Sequence, residues 1–232
     1  MDFNSICNFY RTDKGDERPF GNCYAEFYDY WFSKIKHSVT NICEIGILDG
    51  SSLKVFYDYF PNSNIIGLDI ESKKEFENER IKTLTLDQGS TKNLTDFVNE
   101  CEIKNIQFDI IIDDGSHDVE HQQLTFGKLF KLVKPNGLYI IEDLGSSYFG
   151  INSDLYGYIT TQTKLNNNTI LFLNQRPFSS IWISSDDLDY INKNVDYVSI
   201  FDKLNDDLPY GKGFNCVNNY PIRSITSVIK KK

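Results

Sequence analysis

At 232 residues, with 40% hydrophobic and 25% charged residues, the chain has the composition of a soluble globular protein sized for one α/β domain with at most a small appendage. A net charge of −9 and a pI near 4.8 argue against a nucleic-acid partner, which calls for a basic face to meet phosphates. No apolar run approaches the roughly 20 residues that span a bilayer.

The N-terminus, "MDFNSICNFYRTDKG", has no basic segment followed by an apolar one, so no signal peptide is expected and the protein reads as cytoplasmic. Five scattered cysteines without a C-x-x-C pair agree with reduced thiols. Residues 1–40 are aromatic-rich, with "CYAEFYDYWFSKI" helical, and read as a helical cap. Residues 41–232 form the main domain.

From Asn41 short apolar runs alternate with longer amphipathic ones. "NICEIG" is a strand, and "SSLKVFYDYF" a helix capped by Ser51 or Ser52. "NIIGLDI" is a second strand, and "IKTLTL" a third after a polar helix around "SKKEFENE". "STKNLTDFVNEC" is a helix capped by Ser90, "FDIIID" the fourth strand, and "VEHQQLTFGKLFKLV" the next helix. A turn at Pro135, Asn136 and Gly137 leads into "LYIIED", the fifth strand. This β-α-β-α rhythm predicts a parallel sheet with helices on both faces, since strands buried on both sides read as continuous apolar runs. After Gly150, "DLYGYITTQTKL" reads as a helix, "TILFLN" and "SIWIS" as short strands, and "VDYVSIFDKL" with "SITSVIKK" as a final antiparallel pair.

Ligands of open α/β sheets bind beyond the carboxyl ends of the strands, so the residues after each strand belong together. They are Glu44, Gly46 and Gly50 for the first, Asp69 for the second, Asp87 and Gln88 for the third, Asp113, Asp114 and His117 for the fourth, and Glu142 and Asp143 for the fifth. One acid at a strand end is ordinarily a turn-former or cap. Five strands in succession ending in acids go beyond what packing requires. Asp69 stands where a nucleoside-binding fold places the acid for the ribose hydroxyls. Leu48 replaces the middle glycine of the dinucleotide fingerprint, which lets a pyrophosphate approach. That favours S-adenosylmethionine over NAD, with Asp87 and Gln88 offered to the adenine amino group. Asp114, Glu142 and Asp143 would repel one another unless a dication or a basic side chain lay between them; all-oxygen ligands suit Mg²⁺, Mn²⁺ or Ca²⁺. His117, three residues past Asp114, is placed to take a proton from a metal-held hydroxyl. Tyr148, Phe149, Tyr156 and Tyr158 are candidate walls of an acceptor pocket.

"ICEIGILDGSSL", "IIGLDIE", "LDQGS", "FDIIIDDGSH" and "GLYIIEDL" resemble the class I S-adenosylmethionine-dependent methyltransferases. More narrowly, they are similar to the metal-dependent macrocin and mycinamicin sugar O-methyltransferases and the cephalosporin hydroxylase-like family. "RTDKG" with "CYAEFYDYWF" resembles that group's N-terminal region. The resemblance covers roughly residues 10 to 150. It implies a Rossmann-like, mostly parallel seven-stranded sheet whose last pair is antiparallel, with helices on both faces. It further implies Asp114, Glu142 and Asp143 as metal ligands, His117 as general base, and Glu44, Gly46, Asp69, Asp87, Gln88 and Asp113 around the cofactor, with Thr12 and Lys14 closing over it. The expected activity is methyl transfer to a sugar hydroxyl. A compact acidic chain without a long N-terminal extension points to a nucleotide-activated sugar for surface polysaccharide synthesis. The alternatives are a glycosylated natural product as acceptor, or a non-catalytic cofactor-binding protein. Homo-oligomerisation is left open.

Overall fold

The computed structural model describes residues 1–17, 24–143, 170–171, 180–202 and 225–232. In chain order these form α1 (Phe3–Tyr10), α2 (Ala25–Phe32), β1 (Asn41–Ile45), α3 (Ser51–Tyr59), β2 (Asn64–Asp69), β3 (Ile81–Thr85) and α4 (Thr91–Ile103), followed by β4 (Phe108–Asp113), α5 (Val119–Leu129), β5 (Val133–Ile141), β6 (Ile170–Leu171), α6 (Ser185–Asn194), β7 (Val195–Asp202) and β8 (Ile225–Lys231). The strands make one sheet in the order β3-β2-β1-β4-β5-β8-β7-β6. β1 to β5 run parallel; β8 is antiparallel to β5 and β7 to β8. Seven of these are the expected strands, with their antiparallel end. The eighth is the two-residue edge strand β6, which lies in "TILFLN", also read from sequence as a short strand.

The pleat decides what each strand residue buries. In β4, Ile110 and Ile112 face a core shared with α1, α2 and α3, while Ile111 faces the core made with α4, α5 and α6. Both faces are covered, which is why the strand sequences carry no polar alternation. Phe3 is fully buried, with ring centroids 5.0 Å from Tyr59 and 5.5 Å from Tyr28 and Phe32. Burying such a side chain contributes roughly 2–3 kcal/mol. The first helices therefore sit in the same core as Ile42, Phe56 and Ile65.

Side-chain caps set several helix starts. Asp2 accepts from the Ser5 amide, Ser90 from Asn93, Asp118 from Glu120 and His121, and Ser184 from Asp187. Four expectations need correction. α3 is preceded by Gly50 at φ 72° and not by a serine cap, because a left-handed turn is what joins β1 to the helix there. The polar helix around "SKKEFENE" shrinks to one 3₁₀ turn at Lys74–Phe76; none of its residues is buried, so no packing offsets the cost of nucleating a helix. "SIWIS" bends into the cap of α6 instead of forming a strand. The Pro135–Gly137 turn is absorbed into β5, whose pairing with β4 is irregular between Phe108 and Ile110. The expected helix "DLYGYITTQTKL" and the candidate walls Tyr148, Phe149, Tyr156 and Tyr158 lie outside the described residues. Among the described residues no helix is long and apolar enough to cross a membrane, and the three described cysteines, Cys7, Cys43 and Cys101, are buried free thiols.

Candidate active site

Strand order reverses between β1 and β4, so the chain leaves these neighbours in opposite directions and a crevice opens at their carboxyl ends. A cavity of about 370 Å³ lies there. Its floor and walls come from the loop after β1 (Gly46 to Asp49), the ends of β2 and β3 (Leu68 to Ile70, Leu86 to Gln88), and the loop after β4 (Asp114 to His117). Thr12, Asp13 and Lys14 close one side and His121 another.

The loops approach closely because Gly46 has no side chain. At φ 83° it is in the left-handed region, and a Cβ there would lie 2.1 Å from the Asp114 carbonyl oxygen. Leu48 is left-handed too, at φ 48°, and 74% exposed; an exposed apolar side chain on a strained backbone beside a cavity is a functional signature. Asp69 ties this loop down. Its Oδ2 accepts from the amides of Ile47 (2.9 Å) and Leu48 (3.3 Å), and its Oδ1 from Glu71 (2.9 Å).

Gln88 is buried and cross-braces two strand ends. Its amide donates to Asp113 Oδ1 at 2.7 Å and to Thr125 Oγ1 at 3.2 Å, and its carbonyl accepts from the Ser116 amide at 2.8 Å. Asp87 shapes the turn into α4, accepting from the Gly89 amide. Glu44 and Asp113 lie fully buried beneath the cavity. Glu44 Oε2 accepts from Ser52 Oγ at 2.7 Å; its other oxygen, like Asp113 Oδ2, has no hydrogen-bond partner among the described residues. Burial pushes the Asp113 carboxyl up to about 7, against hydrogen bonds from Gln88 and the Gly115 backbone. Burial likewise pushes Glu44 up to about 8, opposed by the Lys14 charge. A carboxyl raised by folding favours the native state below its ordinary value of 4.5 and loses that contribution as pH rises to about 8. Glu44→Gln is therefore expected to gain stability on wild type by about 1.4 kcal/mol per pH unit across that window. Urea unfolding at pH 5 and pH 8 reads the difference, and a gap independent of pH refutes it.

The acid cluster is more organised than the sequence suggests. Asp114, His117 and Asp143 each bring one ligand atom to within 4.8 Å of the others. His117 Nε2 is 3.6 Å from Asp143 Oδ2. Both residues hold left-handed backbones, φ 57° and 49°, a conformation costing a non-glycine residue about 1–2 kcal/mol. The third expected acid, Glu142, has partners of its own. It is fully buried, and Tyr28 Oη donates to its Oε1, which also lies 3.1 Å from Lys14 Nζ. The same ammonium is 2.5 Å from Asp114 Oδ2. Asp114 and Glu142 thus share one lysine, which also lines the cavity. Burial lifts the Asp114 carboxyl, with Lys14 opposing. Burial and then the Asp114 charge hold Glu142 well above the usual carboxylate range. Lys14 stays protonated because those two carboxyls outweigh its desolvation. Glu142 Oε2 has no hydrogen-bond partner among the described residues. Carboxylate donors with a buried carboxylate oxygen left over fit a hard dication.

Two tyrosines not singled out from sequence, and His121 one helical turn past His117, complete the surroundings. Tyr24 donates to Asp143 Oδ1 at 2.7 Å. With Tyr28 it places two hydroxyls one turn apart on the start of α2, a spacing visible in "YAEFY". His121 Nδ1 pairs with Ser116 Oγ at 2.8 Å, and its ring packs so tightly on Gly89 that a Cβ there would meet Nε2 at 2.4 Å.

No family model matches the chain. Among curated proteins it is 37% identical over 163 residues to demethylmacrocin O-methyltransferase of Streptomyces fradiae, covering 66% of this chain and 40% of that protein. It is 33% identical over 155 residues to mycinamicin VI 2''-O-methyltransferase of Micromonospora griseorubida, covering 64% and 37%. It is 36% identical over 132 residues to a tetracenomycin-C rhamnosyl 3'-O-methyltransferase of Streptomyces olivaceus, covering 54% and 33%. The chain therefore spans 40% or less of the length of these relatives. Among solved structures, MycE methyltransferase of the mycinamycin pathway, in complex with Mg, SAH and mycinamycin VI, superposes with a TM-score of 0.70 at 23% identity over 99% of this chain and 54% of that one. The chain thus has the class I methyltransferase fold and, in its sequence, resembles the macrocin and mycinamicin sugar O-methyltransferases.

Proposed function

We propose that the protein transfers a methyl group from S-adenosylmethionine to a sugar hydroxyl, with Mg²⁺ or Mn²⁺ as the metal. The observation that carries this reading is the convergence of Asp114, His117 and Asp143 at the rim of the switch-point cavity. The named relatives act on sugars of glycosylated natural products. That favours such an acceptor over the nucleotide-activated sugar for polysaccharide synthesis expected from composition, for which the comparisons offer no support.

The donor's nucleoside fits the cavity, with Leu48 and Ile70 as apolar walls and Asp69 and Asp87 at the ends of β2 and β3 as the polar ones. Asp114 and Asp143, with Glu142 adjoining, would hold the metal, which when bound acidifies and orients a coordinated alcohol. Tyr24 and Tyr28 orient Asp143 and Glu142. His117, partly exposed beside Asp143, accepts the alcohol proton and passes it to solvent. The remaining contribution is alignment of the hydroxyl with the sulfonium and exclusion of water.

The test uses S-adenosylmethionine, Mg²⁺ and a panel of glycosylated macrolide and aromatic polyketide acceptors, read by mass for a gain of one methyl group. Turnover lost on chelation and restored by Mg²⁺ is expected. Undiminished turnover after exhaustive chelation removes the metal. No calorimetric binding of S-adenosylhomocysteine removes the methyltransferase reading altogether.

A further inference from the structure

We propose that Lys14 is a tethered monocation that competes with the divalent metal for Asp114 and Glu142, and so sets how tightly the metal is held. The inference rests on the metal reading above and assigns a residue that reading does not use.

Lys14 is 1% exposed, unusual for a residue type that is almost never fully buried without a partner. Its backbone is pinned: its carbonyl accepts from the Ala25 amide at 2.8 Å, at the start of α2, and its amide donates to Thr12 Oγ1 at 3.4 Å. Held there, the side chain runs inward, and its ammonium lies 2.5 Å from Asp114 Oδ2, 3.1 Å from Glu142 Oε1 and 4.0 Å from Asp13 Oδ1. Asp114 is also a corner of the Asp114–His117–Asp143 group. One carboxylate thus serves both cations, and a dication entering that group meets an ammonium already on its ligand. Like charges this close in a poorly solvated site repel strongly. The metal must therefore displace the ammonium from Asp114, and that displacement costs affinity. Thr12, Asp13 and Lys14 also line the donor cavity, so release of the ammonium loosens the segment that closes that cavity.

The experiment compares Mn²⁺ binding by calorimetry and by loss of the free-ion paramagnetic signal, in wild type and Lys14→Met. Removing the competitor is expected to tighten Mn²⁺ by about tenfold or more. A second measurement needs no variant: acetylation of wild-type amines, mapped by mass spectrometry, is expected to rise at Lys14 when Mn²⁺ is added, because the displaced amine becomes accessible. Equal or weaker binding in Lys14→Met overturns the proposal while leaving the metal site standing. If that variant does not fold, Lys14 acetylation that saturating Mn²⁺ leaves unchanged does the same. Mn²⁺ bound by neither form ends both readings together.

Discussion

His117→Ala is expected to lower kcat by about 10²–10⁴-fold, the range a positioned general base contributes, while affinities for the donor and for Mg²⁺ stay at wild-type values. The two affinities matter because the geometry gives His117 two possible jobs. Its ring is within ligand distance of Asp114 and Asp143, and the same ring pairs with Asp143 through Nε2. A metal ligand and a proton acceptor make the same static picture and different mutants. Removing a ligand weakens the metal and raises the Mg²⁺ concentration needed for half-maximal rate. Removing a base leaves that concentration alone and flattens the rise of rate with pH. The left-handed backbone at His117 strains alanine as it does any non-glycine residue, so a urea unfolding curve of the variant separates loss of rate from loss of fold. A proportional drop in Mg²⁺ affinity would move His117 into the ligand set, and unchanged turnover would take it out of the reaction.

How much of this is legible in sequence follows from the kind of interaction involved. The sheet is legible because strands buried on both faces leave apolar runs such as "FDIIID", and because each run ends where the chain turns. The position of the cavity follows from strand order. Helix caps with a side chain, Ser90 for one, can be read locally; the left-handed entry at Gly50 reads as punctuation only once the turn is seen. What does not show in sequence is which charged groups meet. Lys14 and Asp114 are 100 positions apart and Tyr24 and Asp143 are 119, and no local pattern reports such a pairing. Glu142 illustrates this. Its place after β5 marks it as an acid of the cluster, yet neighbours from two other segments turn its carboxyl toward a lysine and a tyrosine. Gln88 is similar: adjacent to an acid at a strand end it suggests a base-reading amide, while its actual partners are Asp113, Thr125 and Ser116.

Asp114→Asn is expected to remove measurable Mg²⁺ binding and to destabilise the metal-free protein by about 3 kcal/mol, the effect of taking one partner from a buried ion pair. Asp143→Asn is expected to remove Mg²⁺ binding with a much smaller stability loss. The difference arises from Lys14. Asp114 is its nearest carboxylate, and an asparagine there leaves a buried ammonium with Glu142, whose own carboxyl burial already holds high. Asp143 is partly exposed and lies beside the His117 ring, and an asparagine oxygen there can still accept from the Tyr24 hydroxyl. Urea unfolding in EDTA separates stability from metal, and calorimetry with Mg²⁺ measures the metal alone. Equal stability losses in the two variants would mean that Lys14 does not depend on Asp114 and that the short ion pair contributes little to the fold. Retained Mg²⁺ binding in both would mean that the dication, if the protein holds one, sits on other residues than this rim.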